Sequence, residues 1–193
     1  MYIRYNLPMQ HAIFLDRDGV IVHNNPAYIR TLEDVIFYPQ ALEALALLKQ
    51  TPYKLIIITN QSAISRGLLN IDSAHRINNE VILQIEKSGG RVDDVFMCPH
   101  SPEDHCLCRK PKPGLILQAA SKHEIDLARS IMIGDALTDI IAGQAAGIKT
   151  NILVLTGRGK DQISNWDHQN PNMFEIYTDL LIASKTLIHK YDN

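Results

Sequence analysis

The chain has 193 residues, of which 46% are hydrophobic, and a formal net charge of −2 at pH 7. This length suits one domain with a full-sized core. The charge leaves no basic excess for binding nucleic acid or an anionic membrane, and no apolar run approaches the roughly 20 residues of a membrane span. Residues 1–10 lack the apolar centre of a signal peptide, which predicts a cytoplasmic protein. They form either a short extra strand or a leader before a start at Met9, and a monomer is the default expectation.

Short apolar runs alternate along the chain with longer amphipathic stretches. Several of the runs are continuously apolar and rich in Ile and Val, which is typical of strands covered on both faces. Strands and helices that alternate in this way predict an α/β fold, a doubly wound parallel sheet with helices on both faces. The predicted strands are 11–16, 53–59, 92–97, 130–134 and 149–155, and the predicted helices are 39–50, 72–88, 114–123, 138–146 and 178–190.

Polar residues follow three of the predicted strands. Taken alone, each group is better explained as an ordinary loop, but the carboxyl ends of parallel strands meet at one edge of a sheet. Side chains at i and i+2 of an extended segment point the same way, so the first two aspartates are expected on one side. Carboxylates gathered there are the ligands that Mg²⁺ takes, together with waters and a phosphate oxygen. The residues are Asp16 and Asp18 after the first strand, Thr59, Asn60, Gln61 and Ser62 after the second, and Asp135 and Asp139 after the fourth.

All three cysteines lie in the segment 98–108. An odd, clustered set without a signal peptide argues against a disulfide framework and for metal binding or catalysis. Cys98, His100, Cys106 and Cys108 supply the four soft ligands of a closed tetrahedral Zn²⁺ site, with His105 as a competing ligand. Because four protein ligands leave no open position, this zinc is expected to be structural.

A basic run, Arg109-Lys110-Pro-Lys112-Pro-Gly114, follows directly. Lys110 or Lys112 could balance the charge of a phosphate, although a solvated basic turn is equally consistent with the pattern. A zinc ion in the preceding segment would stiffen the loop that delivers Arg109 and Lys110.

The set Asp-x-Asp-Gly, Thr, Lys-Pro and Gly-Asp-x-x-x-Asp, in this order across about 11–155, resembles the haloacid-dehalogenase superfamily of phosphohydrolases. The resemblance implies a Rossmann-like core and Mg²⁺-dependent hydrolysis through an aspartyl-phosphate. The roles that it implies are nucleophile for Asp16, general acid/base for Asp18, phosphoryl binding for Thr59 and Lys110, Mg²⁺ binding for Asp16, Asp18 and Asp135, and a supporting carboxylate for Asp139.

Within that superfamily, the zinc segment and Thr-Asn-Gln-Ser-x-Ile-x-Arg-Gly at 59–67 look like the group of heptose-bisphosphate and histidinol-phosphate phosphatases. The stretch 26–34 favours the heptose branch, which acts in the pathway to nucleotide-activated heptose for bacterial surface polysaccharide. The implied substrate is therefore a small phosphorylated sugar, D-glycero-D-manno-heptose 1,7-bisphosphate. Two departures weaken this assignment: Val22 stands in place of a common Asn, and Ala136 in place of a common Lys. Candidate substrate contacts are Asn60, Gln61, Ser62, Arg66 and Arg109, the last two for a distal anionic group.

The short intervals between the motifs leave no room for a large cap domain. An open pocket is therefore expected, with its rim shaped by residues 22–34 and the zinc segment. A non-enzymatic alternative is a phosphoryl-accepting receiver module, which also gathers acidic residues at strand ends. That alternative predicts neither an acid/base aspartate at Asp18 nor a zinc segment, and both are present.

Overall fold

The structure is a computed structural model that describes residues 9–164 and 174–191. Its strands are β1 (Ala12–Leu15), β2 (Lys54–Asn60), β3 (Asp94–Cys98), β4 (Ile131–Gly134), β5 (Thr150–Val154) and β6 (Glu175–Tyr177). Its α-helices are α1 (Pro39–Leu48), α2 (Ile71–Lys87), α3 (Gly114–His123), α4 (Leu137–Ala145), α5 (Gly159–Ser164) and α6 (Leu180–Tyr191).

The six strands form one parallel sheet in the order β3-β2-β1-β4-β5-β6. Phe14 of β1 lies opposite Ile56 of β2 on one side and Met132 of β4 on the other. The winding reverses between β1 and β4, and in such sheets the crevice beyond the strand ends at the reversal binds ligands. The predicted doubly wound, Rossmann-like sheet is confirmed.

Two apolar layers cover the sheet, one on each face. Ile13 and Leu15 of β1 belong to the layer that includes α1, α2 and α6, whereas Phe14 belongs to the layer that includes α3 and α4. Successive side chains of a strand point to opposite faces. Since both faces are covered by helices, every residue of β1 is buried, which accounts for the uninterrupted apolar runs in the sequence.

Five of the strands and five of the helices lie within two residues of the predicted bounds, and β6 and α5 were not predicted. β6 has three residues at the edge of the sheet, and none of its side chains is buried. α5 has six residues, too few to show a helical repeat of apolar positions. Of the possible leader, residues 1–8 lie outside the described residues, and Gln10 forms a parallel bridge with Ile125.

Between β1 and α1 the chain forms a loop rather than a further domain. Isolated bridges join Val22 to Asp18 and to Phe37. The absence of a large cap is thus confirmed for the described residues. Across the same ranges, no helix has both the length and the apolar character that crossing a membrane requires.

Candidate active site

Three buried carboxylates meet at the carboxyl edge of the sheet. Asp16 follows β1, Asp135 follows β4, and Asp139 lies in the first turn of α4. Their exposures are 5%, 0% and 0%, and one oxygen of each lies within 4.8 Å of the others. Gly19 allows the chain after β1 to lie directly against Asp135, because its φ is +96° and a Cβ at this position would lie 2.1 Å from Asp135 Oδ2. The sequence therefore correctly placed these carboxylates together.

Lys110 is the cation at the centre of this cluster. Its Nζ lies 2.9 Å from Asp16 Oδ1 and 2.6 Å from Asp139 Oδ1, and it donates a hydrogen bond to the Ile58 carbonyl at 2.8 Å. Lys112, in contrast, donates to main-chain carbonyls of the zinc segment. Of the two lysines left open by the sequence, the structure thus brings Lys110 to the carboxylates.

The pKa values follow from this burial and charge. Burial raises the pKa of Asp16 to about 7; Lys110 opposes the rise, while Asp139, Asp135 and Asp18 add to it. Burial lowers the pKa of Lys110, but the charges of Asp139 and Asp16 outweigh that effect and hold it above its usual value. Lys110 is therefore a permanent ammonium ion beside a carboxylate that resists ionisation.

Two residues that were not predicted from the sequence, Arg158 and Asn24, contact Asp135. The Arg158 main-chain N–H donates to Asp135 Oδ2 at 2.8 Å, and its Nη2 lies 3.3 Å from Asp135 Oδ1. Asn24 Nδ2 donates to Asp135 Oδ2 at 2.9 Å. A signal for Arg158 was present, because Thr156-Gly-Arg-Gly159 follows β5 at the same edge of the sheet.

The donor set of the cluster fits Mg²⁺. When Asp16 is ionised, three carboxylates face two cations, Lys110 and Arg158, and one negative charge is in excess. Beside Asp135, Asn24 Oδ1 is buried without a hydrogen-bond partner. Hard oxygen donors with excess negative charge are what a magnesium ion binds.

The Asp18 side chain lies outside this cluster. Arg17 holds it with a two-pronged contact, Nε to Oδ1 at 3.0 Å and Nη2 to Oδ2 at 2.9 Å, and Gln61 Nε2 donates to Oδ2 at 2.8 Å. The expectation that Asp16 and Asp18 point the same way requires an extended chain. Here β1 ends at Leu15 and the chain turns, so Asp18 has different partners from Asp16, although both carboxylates line the same cavity.

A cavity of about 410 Å³ opens above Asp16 and Lys110. Of the expected substrate contacts, four line it, whereas Arg66 is exposed elsewhere and pairs with Glu103. Thr59 is 1% exposed, does not line the cavity, and accepts a hydrogen bond from Gln61 Nε2. The lining consists of Asp16, Asp18, Asn24, Asn25, Pro26, Tyr28, Ile29, Asn60, Gln61, Ser62, Arg109, Lys110, Thr138, Asp139 and Arg158.

The two departures noted in the sequence lie away from the cavity. Val22 is fully buried in the apolar layer of α1, and Ala136 is 2% exposed; neither lines the cavity. Asn24, two residues after Val22, lines it instead. Replacement of the common Asn by Val22 therefore does not remove the amide from this wall.

The four predicted zinc ligands also meet. One atom each of Cys98, His100, Cys106 and Cys108 falls within a 4.8 Å group, and His105 is not part of it. Their closest separations run from 3.2 to 3.6 Å. A tetrahedral zinc ion with bonds of about 2.3 Å separates its sulfur ligands by about 3.8 Å, whereas a disulfide requires about 2.05 Å. The spacing therefore fits a metal ion rather than a disulfide.

The zinc segment is hydrogen-bonded to the active site. The Arg109 main-chain N–H donates to Cys106 Sγ, and Arg109 Nη1 donates to the His100 carbonyl at 3.0 Å. Lys110 and Asn60 exchange two hydrogen bonds of 3.1 Å between the Asn60 amide and the Lys110 main chain. The segment thus fixes both basic residues at the cavity.

The fold and this site together define a class of protein. A doubly wound parallel sheet whose central strand ends in a buried aspartate, paired with a lysine and joined by carboxylates from the neighbouring strand, is the arrangement of haloacid-dehalogenase phosphohydrolases.

Comparison with known proteins gives the particular family. The HAD-hydrolase-like family matches residues 107–181. A D-glycero-beta-D-manno-heptose-1,7-bisphosphate 7-phosphatase of Bordetella bronchiseptica is 38% identical over 178 residues, which cover 92% of this chain and 98% of the relative. One from Helicobacter pylori is 42% identical over 145 residues, covering 75% and 83%. The chain belongs to the haloacid-dehalogenase superfamily, in the family of these phosphatases, and is a phosphoric monoester hydrolase.

A solved structure agrees in shape as well. The crystal structure of the B. bronchiseptica D,D-heptose 1,7-bisphosphate phosphatase, complexed with magnesium and phosphate, superimposes with a TM-score of 0.88 at 34% sequence identity. The match covers 94% of this chain and 99% of that one.

Proposed function

We propose that this enzyme removes the 7-phosphate of D-glycero-β-D-manno-heptose 1,7-bisphosphate, with Asp16 as nucleophile. The observation that carries the mechanism is the buried Asp16–Lys110 ion pair at the floor of the cavity. The names and the near-complete coverage of the relatives support the substrate. The reaction would serve the synthesis of nucleotide-activated heptose.

In the first half of the reaction, the Asp16 carboxylate attacks phosphorus and forms an aspartyl-phosphate. Asp18 donates a proton to the leaving sugar oxygen. In the second half, Asp18 accepts a proton from the water that hydrolyses the intermediate. Gln61, hydrogen-bonded to Asp18, keeps that carboxylate at the cavity wall.

Lys110 keeps Asp16 oriented and offers positive charge to the phosphoryl oxygens. Asp16 and Asp135 would hold Mg²⁺, with Asp139 as a neighbouring carboxylate. Asp18, the third ligand that the sequence resemblance implies, is left out because its side chain does not belong to this group of three. When bound, the ion neutralises the repulsion between the nucleophile and the phosphate and stabilises developing charge. Magnesium and phosphate in the solved B. bronchiseptica enzyme support this assignment.

The walls of the cavity suit a hydroxylated sugar with a second anionic group. Asn24, Asn25 and Asn60 line the cavity with amides, whose remaining N–H groups and lone pairs can donate to and accept from hydroxyl groups. Arg109 and Arg158 add guanidinium groups at the cavity, where a distal phosphate can pair with them.

We also propose that the cluster of three cysteines and His100 holds a structural Zn²⁺, which stabilises the segment carrying Arg109. No disulfide joins the cysteines, and unpaired thiols are typical of the reducing cytoplasm, where we place the enzyme.

The substrate is tested by comparing phosphate release from heptose 1,7-bisphosphate and from histidinol phosphate, each with Mg²⁺ present and withheld. We expect kcat/KM to be at least about 100-fold higher for the heptose bisphosphate, a difference of ~2.7 kcal/mol in transition-state binding. Equal or faster hydrolysis of histidinol phosphate would overturn the substrate, and turnover without the metal would overturn the mechanism.

Replacement of Arg109 by Gln tests the distal phosphate contact. We expect KM for the 1,7-bisphosphate to rise about tenfold because a charge-assisted hydrogen bond is lost, with less than about a twofold change for heptose 7-phosphate. Arg66→Gln is the matched control, since Arg66 is exposed and lies outside the cavity. An equal rise in KM for both substrates would remove Arg109 from the distal site.

A further inference from the structure

Arg17, between the two catalytic aspartates, is a charged side chain held almost entirely inside the protein. It is 1% exposed. Its Nε and Nη2 donate hydrogen bonds to the two oxygens of Asp18, and its remaining nitrogen, Nη1, donates to Asn78 Oδ1 at 2.7 Å. Asn78 belongs to α2, 61 residues further along the chain.

Because Arg17 is buried, its hydrogen bond to Asn78 has a large effect on the energy of the guanidinium group. A buried guanidinium with an unpaired N–H carries a large desolvation cost, and no water replaces the missing acceptor at 1% exposure. With both edges engaged, the plane of the Arg17 guanidinium is fixed. Since Asp18 accepts two parallel bonds from that plane, the orientation of the Asp18 carboxylate is fixed as well.

Asn78 is itself well held. It is 5% exposed within a 17-residue helix, α2, whose buried side chains pack on the sheet. Its Nδ2 lies 3.6 Å from Met97 Sδ of β3, a weak contact that leaves Oδ1 directed at Arg17. The amide is therefore a rigid acceptor supplied by the body of the fold, rather than by the active-site loop.

We propose that Asn78 is a positioning residue for the reaction: through Arg17 it fixes the Asp18 carboxylate where that group donates its proton to the leaving oxygen. This inference rests on the acid/base role given to Asp18 in the proposed function. Asn78 does not line the cavity, so its effect on the reaction would pass through Arg17.

Substrates with different leaving groups separate positioning from a general structural role. An alkoxide leaves poorly and needs a proton from Asp18, whereas 4-nitrophenolate leaves without one. Because kcat/KM covers the steps up to departure of the leaving group, its ratio for a sugar phosphate over 4-nitrophenyl phosphate reports how well Asp18 acts as an acid.

The variant that removes the acceptor at nearly constant size is Asn78→Leu. Asn78→Asp keeps an acceptor oxygen facing Arg17, whereas Asn78→Leu does not. Both variants lose the N–H group that contacts Met97, so they differ in whether Arg17 has an acceptor. Asn79→Leu is the control on the same helix, at an exposed position.

We expect Asn78→Leu to lower the ratio about tenfold, with less than about a threefold change on 4-nitrophenyl phosphate. Asn78→Asp and Asn79→Leu should stay within about threefold of the wild-type ratio. Equal losses on both substrates for Asn78→Leu would overturn the proposal, as would a loss in Asn78→Asp as large as that in Asn78→Leu. If Asn78→Leu does not fold, the proposal stands or falls on Asn78→Ser, whose hydroxyl is too short to reach Arg17 and which should lower the ratio in the same way.

The wild-type enzyme supplies the separate test of the proposed function. Its rate on the heptose bisphosphate decides that function, while the ratio can be measured with any alkyl phosphomonoester that it hydrolyses. Failure of the substrate assignment and failure of the Asn78 role thus give different results.

Discussion

Replacing Asp16 by Asn is expected to lower kcat by at least about 10⁴-fold, because the amide cannot attack phosphorus and the covalent route is lost. The other carboxylate beside Lys110 is not placed to take over the role. Asp139 is the other carboxylate that contacts Lys110, but it is fully buried and held by the Ala136 main-chain N–H. The measurement is single-turnover phosphate release with saturating Mg²⁺.

Asp72→Asn is the matched control, since Asp72 is exposed in the first turn of α2, and it should retain wild-type turnover. Trapping of a phosphorylated protein gives a second readout. We expect acid-quenched wild-type enzyme to carry an acid-stable, hydroxylamine-labile phosphate and Asp16→Asn to carry none. Turnover by Asp16→Asn within 100-fold of wild type would exclude Asp16 as the nucleophile.

The same variant should remain folded, and its stability should depend on pH in a defined direction. The pKa of Asp16 is raised from 3.8 in the reference state to about 7 in the folded protein. Its contribution to stability is therefore fully present below about pH 4 and is lost as pH rises towards 7. Asn has no such loss, so in buffer without Mg²⁺ we expect the Tm advantage of Asp16→Asn to grow by at least ~3 °C between pH 4 and 7 and to level off above.

Thermal unfolding of both proteins in parallel isolates this effect, since every other titrating group, including the thiols, is common to the two. A Tm difference that does not change with pH would mean that Asp16 ionises as readily in the folded protein as in the unfolded chain. Addition of Mg²⁺ should reverse the trend for the wild type, because a cation at the cluster favours the ionised carboxylate.

The sequence was sufficient to predict at which edge of the sheet the active site lies, because that edge follows from the topology alone. Once the strands are parallel, Asp16 and Asp135 must emerge at the same edge, whatever the details of the loops. Asp139 follows from helical spacing, since it lies one turn into the helix after β4. The four zinc ligands lie within eleven residues of chain, so their convergence required no knowledge of the fold.

The contacts that the sequence did not predict depend on where the strands end and how the loops turn. β2 continues to Asn60, one residue beyond the predicted end, so Thr59 is not the last residue of the strand, and its side chain is buried. Asn24 reaches Asp135 from a loop whose course is set by tertiary packing, which no periodicity in the sequence encodes. Arg158 follows β5 at the same edge of the sheet, and that position was the signal by which the sequence could have shown it.

Replacing Cys106 by Ser is expected to remove the zinc and to lower Tm by roughly 10 °C, with activity falling about tenfold. A structural zinc site contributes its binding free energy to folding, and three remaining ligands bind the ion far more weakly. Activity should fall because Cys106 accepts the Arg109 main-chain N–H, and Arg109 precedes the lysine that is paired with Asp16. The measurements are metal content by mass spectrometry, thermal unfolding and kcat/KM.

His105→Gln is the control within the same loop. His105 is exposed and lies outside the group of four, so this variant should keep one zinc per chain and wild-type stability. Zinc retained by Cys106→Ser, or lost by His105→Gln, would contradict the proposed ligand set. Loss of zinc with unchanged kcat/KM would show instead that the metal stabilises the loop without holding the basic residues at the cavity. Zinc content therefore tests which residues bind the ion, whereas kcat/KM tests whether the bound ion holds Arg109 and Lys110 in place. The second test decides whether the cysteine cluster affects the chemistry at Asp16.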